Sequence, residues 1–146
     1  KSYDLVLHDF VGGAFRVDSY FSVGRRSRRF SGASGLVMAA FSGAPLELIE
    51  AEFDQTEWFR RPTFEEYVQR IELTRARGYA LDQGNRRSGL SQIAVPIFSQ
   101  EGPLALVLTA VNFSYIMTDE KIAEVADAML AFADRMSPEL SRLRLD

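Results

Sequence analysis

The side chains that could carry chemistry are few, and their types favour binding over catalysis. The chain has no cysteine and one histidine, His8, so it offers no thiolate nucleophile and no cysteine metal site. No H-E-x-x-H, P-loop or dinucleotide fingerprint occurs. The acidic pairs Glu65-Glu66 and Asp119-Glu120 fall in the first turns of predicted helices, where they stabilise the helix start. We therefore expect no catalytic residue, no cofactor and no metal. An enzyme that acts on a small organic acid through Asp82 or His8 remains the alternative.

A run of small residues indicates a place where an anion could bind. Ser31 to Gly35 contains only Ser, Gly and Ala, and an apolar helical stretch, Leu36 to Phe41, follows it. The first N–H groups of a helix have no partner within the helix and carry the positive end of its dipole. Small side chains let a carboxylate approach those groups closely. Tight packing of the helix on a sheet requires small residues too, so the sequence alone leaves both explanations open.

A polar residue also interrupts an apolar strand. Leu90 to Phe98 alternates, with one face formed by Ile93, Val95 and Ile97, and Gln92 lies on the other face. Gln92 therefore either faces water or lines an internal polar cavity.

The elements that would position these residues can be predicted from their boundaries. Thr63 and Glu66 form a capping box for a helix that ends at Gly78. A short strand from Tyr79 to Asp82, a loop to Gly89, the Leu90–Phe98 strand and a strand from Pro103 to Phe113 follow. Further predictions concern a hairpin of Leu5–Val11 and Ala14–Ser19 about Gly12-Gly13, an amphipathic helix after Pro45, a long helix capped by Thr118, a solvated loop at Arg25–Arg29, and a core covered by Trp58 and Phe59.

Length and composition set the limits of what the chain can be. With 146 residues, 47% of them hydrophobic and 25% charged, it is expected to form one globular domain with its own core. A net charge of −3 argues against nucleic-acid binding by this piece. No apolar run reaches the length of a membrane span, and no signal-peptide pattern opens the chain.

Several short segments, taken together, carry a family resemblance. They are Ser31–Ala40, Arg75–Asp82, Gly89-Leu90, and Ile93–Phe98 followed by Gly102. Their order and spacing resemble the effector-binding domain of IclR-type transcriptional regulators, and the resemblance covers nearly the whole chain from about Leu5 onward. Two positions depart from the family pattern: Gly32 stands where a hydroxyl residue is frequent, and Leu36 stands where lysine is frequent. The basic Arg25–Arg29 segment is a third departure.

The resemblance implies an α+β, GAF/profilin-like antiparallel sheet flanked by helices, with a small-molecule effector bound between the sheet and a helix start. By motif, the ligand-binding residues would be Ala33, Ser34, Asp82, Leu90, Gln92, Thr109 and Val111. Leu90 and Gln92 share one face of their strand, as do Thr109 and Val111, so one mixed wall could face the helix start. Such a lining suits an organic acid. Asp82 would accept a hydrogen bond from the ligand or cap a turn, and both roles stay open.

The same resemblance implies a cytoplasmic regulator that assembles as a homodimer or homotetramer and touches DNA only through an N-terminal winged-helix domain. Residues 1–146 would then be the effector-binding domain alone, either as a fragment or as a reduced relative without that reader and without the helix and strand that usually precede the Leu5 hairpin. No membrane partner is expected. A pure oligomerisation module, with its pocket filled by side chains, is the remaining alternative.

Overall fold

An antiparallel sheet with helices on both faces forms the centre of the molecule. The computed structural model describes residues 4–13 and 21–142. In chain order the elements are β1 (Leu5–Val6), β2 (Arg26–Ser27), α1 (Gly32–Phe41), α2 (Leu46–Gln55), α3 (Phe64–Arg77), β3 (Ala80–Gln83), β4 (Leu90–Phe98), β5 (Leu104–Phe113), α4 (Asp119–Met136) and a 3-10 helix (Ser137–Arg142). The α+β class predicted from the sequence is confirmed.

The three strands of the main sheet follow one another in space in the order β3-β4-β5, with every pair antiparallel. Central strand β4 pairs with β3 through Asp82 opposite Gln92, and with β5 through Gln92 opposite Val111. These three residues form one row across the sheet, and directly paired residues project from the same face. A register shift between Ile97 and Phe98 marks the far end of β4.

The alternation of β4 divides the core into two halves. Ile93, Val95 and Ile97 face α4 and pack with the buried side of that helix, including Ile122 and Met129. On the opposite face, Ala94 and Ala80 contact a second cluster contributed by α1, α2 and α3, whose buried members include Phe30, Val37, Ile49, Phe53, Tyr67 and Ile71. Both helix layers are therefore held on the sheet mainly by the burial of apolar side chains.

Helix α3 is tied to α1 at both ends of α1. The Tyr67 hydroxyl donates to the carbonyl oxygen of Phe30 at 2.6 Å, just before α1 begins. Near the other end, Arg75 Nε donates to the carbonyl oxygen of Ala40 at 2.9 Å, and the same guanidinium reaches Ala39 O at 3.5 Å. The last carbonyls of a helix have no partner within it, so this arginine satisfies groups that would otherwise need water.

The predicted helix boundaries are confirmed where their chemistry is strongest. Thr63 Oγ1 accepts from Glu66 N at 3.1 Å and Glu66 Oε2 accepts from Thr63 N at 2.8 Å, which completes the capping box. Gly78 ends α3 in the left-handed region, at φ 85°. Thr118 caps α4 by accepting from Lys121 N at 3.2 Å.

Two predictions for the N-terminal part need correction. Only Leu5–Val6 of the predicted Leu5–Val11 strand is extended in a ladder, and its partner is Arg26–Ser27. The second predicted strand of that hairpin, Ala14–Ser19, lies outside the described residues. Two residues of the Arg25–Arg29 segment therefore belong to a strand instead of a loop, although Arg26 and Ser27 are exposed as expected.

The predicted core role is right for one of the two adjacent aromatic residues. Trp58 packs on the α1-side cluster, with its ring centroid 5.3 Å from that of Phe53. Phe59 is 62% exposed, so the prediction that it covers the core is wrong. Among the described residues, no helix is both long and apolar enough to cross a membrane.

Candidate functional site

The N-terminus of α1 lacks the side chains that usually neutralise such a helix end. Ser31 occupies the N-cap position, yet its side chain makes no cap hydrogen bond, and the first turn contains no acidic residue. Ser31 Oγ accepts from Arg86 Nε instead, at 3.1 Å. The positive end of the α1 dipole and a guanidinium therefore lie side by side, which is an arrangement that attracts an anion.

Gln92 faces this helix end and not bulk water. Its Oε1 accepts from the backbone N–H of Ala33 at 3.4 Å, a long hydrogen bond. Gly32 has φ 69°, and a Cβ at that position would lie 2.8 Å from Gln92 Oε1. The left-handed backbone conformation therefore favours glycine at position 32, and a side chain there would also require Gln92 Oε1 to move.

The predicted wall residues lie on one face of the sheet but differ in exposure. Leu90 pairs with Phe113, Gln92 with Val111, and Ala94 with Thr109. Leu90 is buried, Gln92 and Val111 are half-buried, and Thr109 is exposed. Among the predicted wall residues, Thr109 lies furthest along the ladder from the Leu90 end of β4. At the start of α1, Ala33 is buried and Ser34 is half-buried.

Asp82 is buried, and both of its oxygens have partners in the chain. Oδ1 accepts from Asn85 N at 2.9 Å and Oδ2 accepts from Arg86 N at 3.2 Å, so the carboxylate fixes the turn that follows β3. Burial raises the pKa of this carboxyl, against the opposing effects of the two backbone bonds and of Arg70 and Arg86. Of the two roles considered for Asp82, these contacts are those of a turn cap.

Arg86 is the residue that sequence reasoning missed. Asp82 sets the turn that carries it, and its side chain then extends to the start of α1, where Cγ lies 3.9 Å from the position of a Gly32 Cβ. Burial, followed by the neighbouring Arg87, lowers the pKa of Arg86, but an arginine in a protein stays protonated. The adjacent basic residues Arg86 and Arg87, between β3 and β4, were the sequence feature that could have indicated a positively charged group at this site.

A surface depression of about 470 Å³ lies at the end of the sheet where β4 begins and β5 ends. Arg87, Ser88, Gly89, Leu90 and Phe113 line it. Leu90 was predicted as a site residue and Phe113 was not, although the ladder makes them direct partners. Leu90 precedes Gln92 by two residues on the same strand face, so this one lining residue also belongs to the predicted wall.

Three other features were considered as functional sites: the single histidine, clusters that could bind a metal, and a depression between α4 and β5. His8 is exposed. Within residues 4–13 and 21–142, no group of three His, Cys, Asp or Glu side chains is arranged to hold a metal ion. A second depression, of about 400 Å³, lies on the opposite face of the sheet between α4 and β5, and its lining is mostly apolar, including Leu108, Met129 and Phe132.

The architecture is an α+β fold in which helices cover both faces of an antiparallel sheet and the start of α1 lies beside Gln92 of β4. Comparison with known families then identifies it: the chain belongs to the family described as bacterial transcriptional regulator IclR, C-terminal, whose model matches residues 5–138. The expected family resemblance is thereby confirmed.

Two curated regulators are similar in sequence. The HTH-type transcriptional regulator KdgR of Dickeya chrysanthemi is 27% identical over 133 residues, which cover 86% of this chain and 44% of that protein. The HTH-type transcriptional regulator BhcR of Paracoccus denitrificans (strain Pd 1222) is 30% identical over 129 residues, covering 83% and 44%. The chain thus spans less than half the length of these relatives.

Solved structures share the fold. The IclR of Thermotoga maritima superposes with a TM-score of 0.79 at 24% identity, covering 96% of this chain and 58% of that one. The C-terminal domain of the Escherichia coli transcriptional regulator KdgR gives a TM-score of 0.62 at 22% identity, covering 79% and 72%. At these identities the likeness concerns the fold alone.

Proposed function

We propose that this chain is the ligand-sensing domain of an IclR-type regulator and that it binds a small organic carboxylate at the N-terminus of α1. The observation that carries the proposal is the convergence of that helix end, without its own cap or acidic residue, with Arg86 at 3.1 Å from Ser31 Oγ. A carboxylate placed there would accept from the first N–H groups of α1 and from the guanidinium.

The hydrogen bond that Gln92 forms with the start of α1 in the absence of a ligand supports the proposal. Its amide oxygen accepts from Ala33 N at 3.4 Å, so an uncharged acceptor already sits beside the helix start. A charged oxygen forms a shorter and stronger hydrogen bond with the same donor. The carboxylate would therefore displace Gln92 Oε1, whose side chain is only half-buried. Ala33 and Ser34 would supply backbone donors, and Leu90 and Val111 would contact the carbon skeleton.

Two of the predicted residues have adjusted roles in this proposal. Asp82 would position Arg86 through the turn after β3, since its two oxygens accept from Asn85 N and Arg86 N. Thr109 is exposed and lies opposite Ala94, so it stands at the margin of the wall.

The regulatory step would follow from linkage. A ligand that binds one arrangement of a dimer or tetramer more tightly than another shifts the population by that difference in affinity. In the full-length cytoplasmic protein, a winged-helix domain N-terminal to this one would read that shift as a change in DNA binding. This domain would contribute recognition and not turnover.

The test is a thermal-shift and calorimetric screen of small carboxylates against their uncharged amides. A carboxylate at about 100 times its Kd should raise the free energy of unfolding by about 2.7 kcal/mol, and its amide should have little effect. For a domain of this size that corresponds to a rise in Tm on the order of 5–10 °C.

Arg86→Met should weaken carboxylate binding at least about tenfold, because one of the two positive groups is lost. Arg142→Met is the matched control, since Arg142 lies on the 3-10 helix with its side chain 78% exposed. Equal stabilisation by carboxylates and amides, or the same response in both variants, would refute the anion site. A domain that binds none of the acids would favour the oligomerisation module.

A further inference from the structure

We propose that three arginine-containing segments form a basic surface that contacts the phosphate backbone of DNA without reading its sequence. The segments are 25–29, 60–61 and 86–87, and we call the surface that they form the arginine surface. The inference goes beyond the proposed carboxylate site and depends on different side chains, chiefly those of Arg25 and Arg60.

The distribution of charge along the chain gives the first indication. The three segments contain eight of the 17 Lys and Arg residues and no Asp or Glu. The net charge of −3 is therefore the sum of a basic region and a strongly acidic remainder. Binding of a polyanion depends on where the positive charges are concentrated, so the overall charge does not decide this question.

The last turn of α2 holds two of the segments side by side. Arg28 Nη1 donates to Gln55 Oε1 at 3.3 Å and lies 3.6 Å from Glu52 Oε2. Arg61 Nη2 donates to Asp54 Oδ1 at 2.6 Å. Because all three acceptors lie within positions 52–55, segments 25–29 and 60–61 converge at this helix end.

Asn85 attaches the third segment to the second. Its carbonyl oxygen accepts from Arg60 N at 2.9 Å, and its Nδ2 donates to the carbonyl oxygen of Arg60 at 3.0 Å. Asn85 is buried, and Asp82 Oδ1 accepts from its backbone N–H at 2.9 Å. Arg86 and Arg87 follow directly in sequence, so the connection between β3 and β4 brings them to the 60–61 segment.

The guanidinium groups at this junction are close enough to influence one another. Burial lowers the pKa of Arg86, and the charges of Arg87 and Arg25 lower it further, against the opposing effect of Glu57. Like charges that gather in this way are unfavourable for the folded state on their own. A bound polyanion would relieve that repulsion.

Some of these arginines already have partners within the fold, and others are available. Arg28 and Arg61 pair with acidic residues of α2, and Arg86 donates to the N-cap residue of α1. Arg25 and Arg60 are exposed, and among residues 4–13 and 21–142 neither of them forms an ion pair. These two side chains can therefore bind an external anion without breaking a contact of the fold.

The phosphate groups of DNA fit this surface better than an acidic protein does. A guanidinium forms bidentate hydrogen bonds with phosphate, and DNA offers regularly spaced phosphates along a continuous strand. Protein interfaces centre instead on aromatic or aliphatic anchors in well-packed pockets. Among the described residues, the exposed large apolar side chains beside the segments in sequence are Val23 and Phe59, which belong to different loops.

Attachment to a DNA-binding domain would make even a weak contact effective. The family of this chain is one of transcriptional regulators. In a full-length protein whose winged-helix domain is bound to DNA, a linked domain would meet nearby phosphates at an effective concentration on the order of 1 mM. A surface that binds DNA with a Kd on the order of 10⁻⁴ M would then be mostly occupied.

The experiment measures fluorescence anisotropy of a labelled DNA duplex of about 20 base pairs during titration with the 146-residue chain. We expect a Kd on the order of 10⁻⁵ M near 50 mM KCl and binding about 40-fold weaker near 200 mM. The slope of log affinity against log salt concentration should be about −3, as expected when about three phosphates are neutralised. A duplex of unrelated sequence should bind equally well, because phosphate contacts carry no sequence information.

The double variant Arg25→Gln, Arg60→Gln should bring the salt slope closer to zero by about 2 and weaken binding at least about tenfold near 50 mM KCl. Arg142→Gln is the matched control, since this side chain is 78% exposed on the 3-10 helix, and it should change neither quantity. If the double variant does not fold, Arg25→Gln alone should still change the slope by about 1.

The outcomes distinguish DNA from other partners and from the carboxylate site. No binding to the duplex near 50 mM KCl, or the same salt slope in the wild type and the double variant, would overturn the proposal. Tighter binding to poly-glutamate or to vesicles of phosphatidylglycerol than to the duplex would overturn it in favour of an acidic protein or a membrane surface. None of these results bears on carboxylate binding, which is tested separately through Arg86.

Discussion

Gly35 is the residue at which one added methyl group would do the most damage. A Cβ there would lie 2.1 Å from the carbonyl carbon of Phe30, which is backbone and cannot move aside as a side chain can. Replacing glycine by alanine inside a helix usually stabilises it by up to about 1 kcal/mol. At Gly35 we expect the opposite sign, a loss of about 1–3 kcal/mol in the free energy of unfolding, because the backbone must shift.

Urea denaturation of Gly35→Ala beside Gly12→Ala would measure this. At Gly12 no neighbouring atom lies within 4 Å of the place that a Cβ would occupy, so this position should tolerate alanine. A Gly35→Ala protein as stable as the wild type would show that the start of α1 is not held close to Phe30.

Asp82 gives a prediction for the dependence of stability on pH. Burial raises its pKa in the folded state, so the folded state binds this proton more tightly than the unfolded state does. Its contribution to the free energy of unfolding is therefore fully present below the unfolded pKa, about 4, and is lost as pH rises through the raised folded value.

Asp82→Asn should remove this dependence while retaining one acceptor for Asn85 N. The wild-type free energy of unfolding, minus that of the variant, should fall as pH rises above about 4 and should level off above the raised folded pKa. Urea titrations of both proteins at several pH values test the sign. A difference that rises with pH would mean that the bonds from Asn85 and Arg86 outweigh the burial.

The site could be predicted from the sequence only where the backbone period dictates it. The alternation of β4 puts Leu90 and Gln92 on one face, and the structure has them there. Arg86 could not be found in this way, because its position depends on a turn that Asp82 closes and on the approach of α1 in three dimensions. Phe113 needed the ladder register, which sequence periodicity does not supply.

Among the elements, α3 is the one whose start is most fully determined by local chemistry. Thr63→Ala removes the acceptor for Glu66 N and should lower the free energy of unfolding by about 1 kcal/mol. Thr63→Ser keeps the hydroxyl and should cost less than half as much. Chemical denaturation of both variants measures the difference. Equal losses in the two variants would assign the effect to the lost methyl group and not to the cap.

Sequence reasoning worked best for elements with strong end signals and worst for those whose partners lie far along the chain. The caps at Thr63, Gly78 and Thr118 are local, and each was predicted. The Leu5–Val11 strand was overextended because its alternation is local, whereas its actual partner, Arg26–Ser27, is not adjacent in sequence. Phe59 was misplaced because an irregular segment provides no period from which to infer a buried side.

At the scale of the whole molecule, the sheet separates two apolar clusters that should behave independently. Ile71 belongs to the cluster on the α1 side and Ile122 to the one on the α4 side. Ile71→Val and Ile122→Val should each cost about 0.5–1.5 kcal/mol. Since β4 lies between them and they share no partner, the double variant should equal the sum within about 0.5 kcal/mol.

Equilibrium unfolding of the two single variants and the double variant completes this cycle. A coupling above about 1 kcal/mol would mean that the sheet transmits packing changes from one face to the other.

Helix α3 is hydrogen-bonded to both ends of α1, through Tyr67 at Phe30 and through Arg75 at Ala39 and Ala40. Tilting α1 away from α3 would break the hydrogen bonds at one of these ends. We therefore expect that a ligand which shifts the beginning of α1 also shifts α3 and its exposed side, which carries Glu65, Gln69 and Leu73.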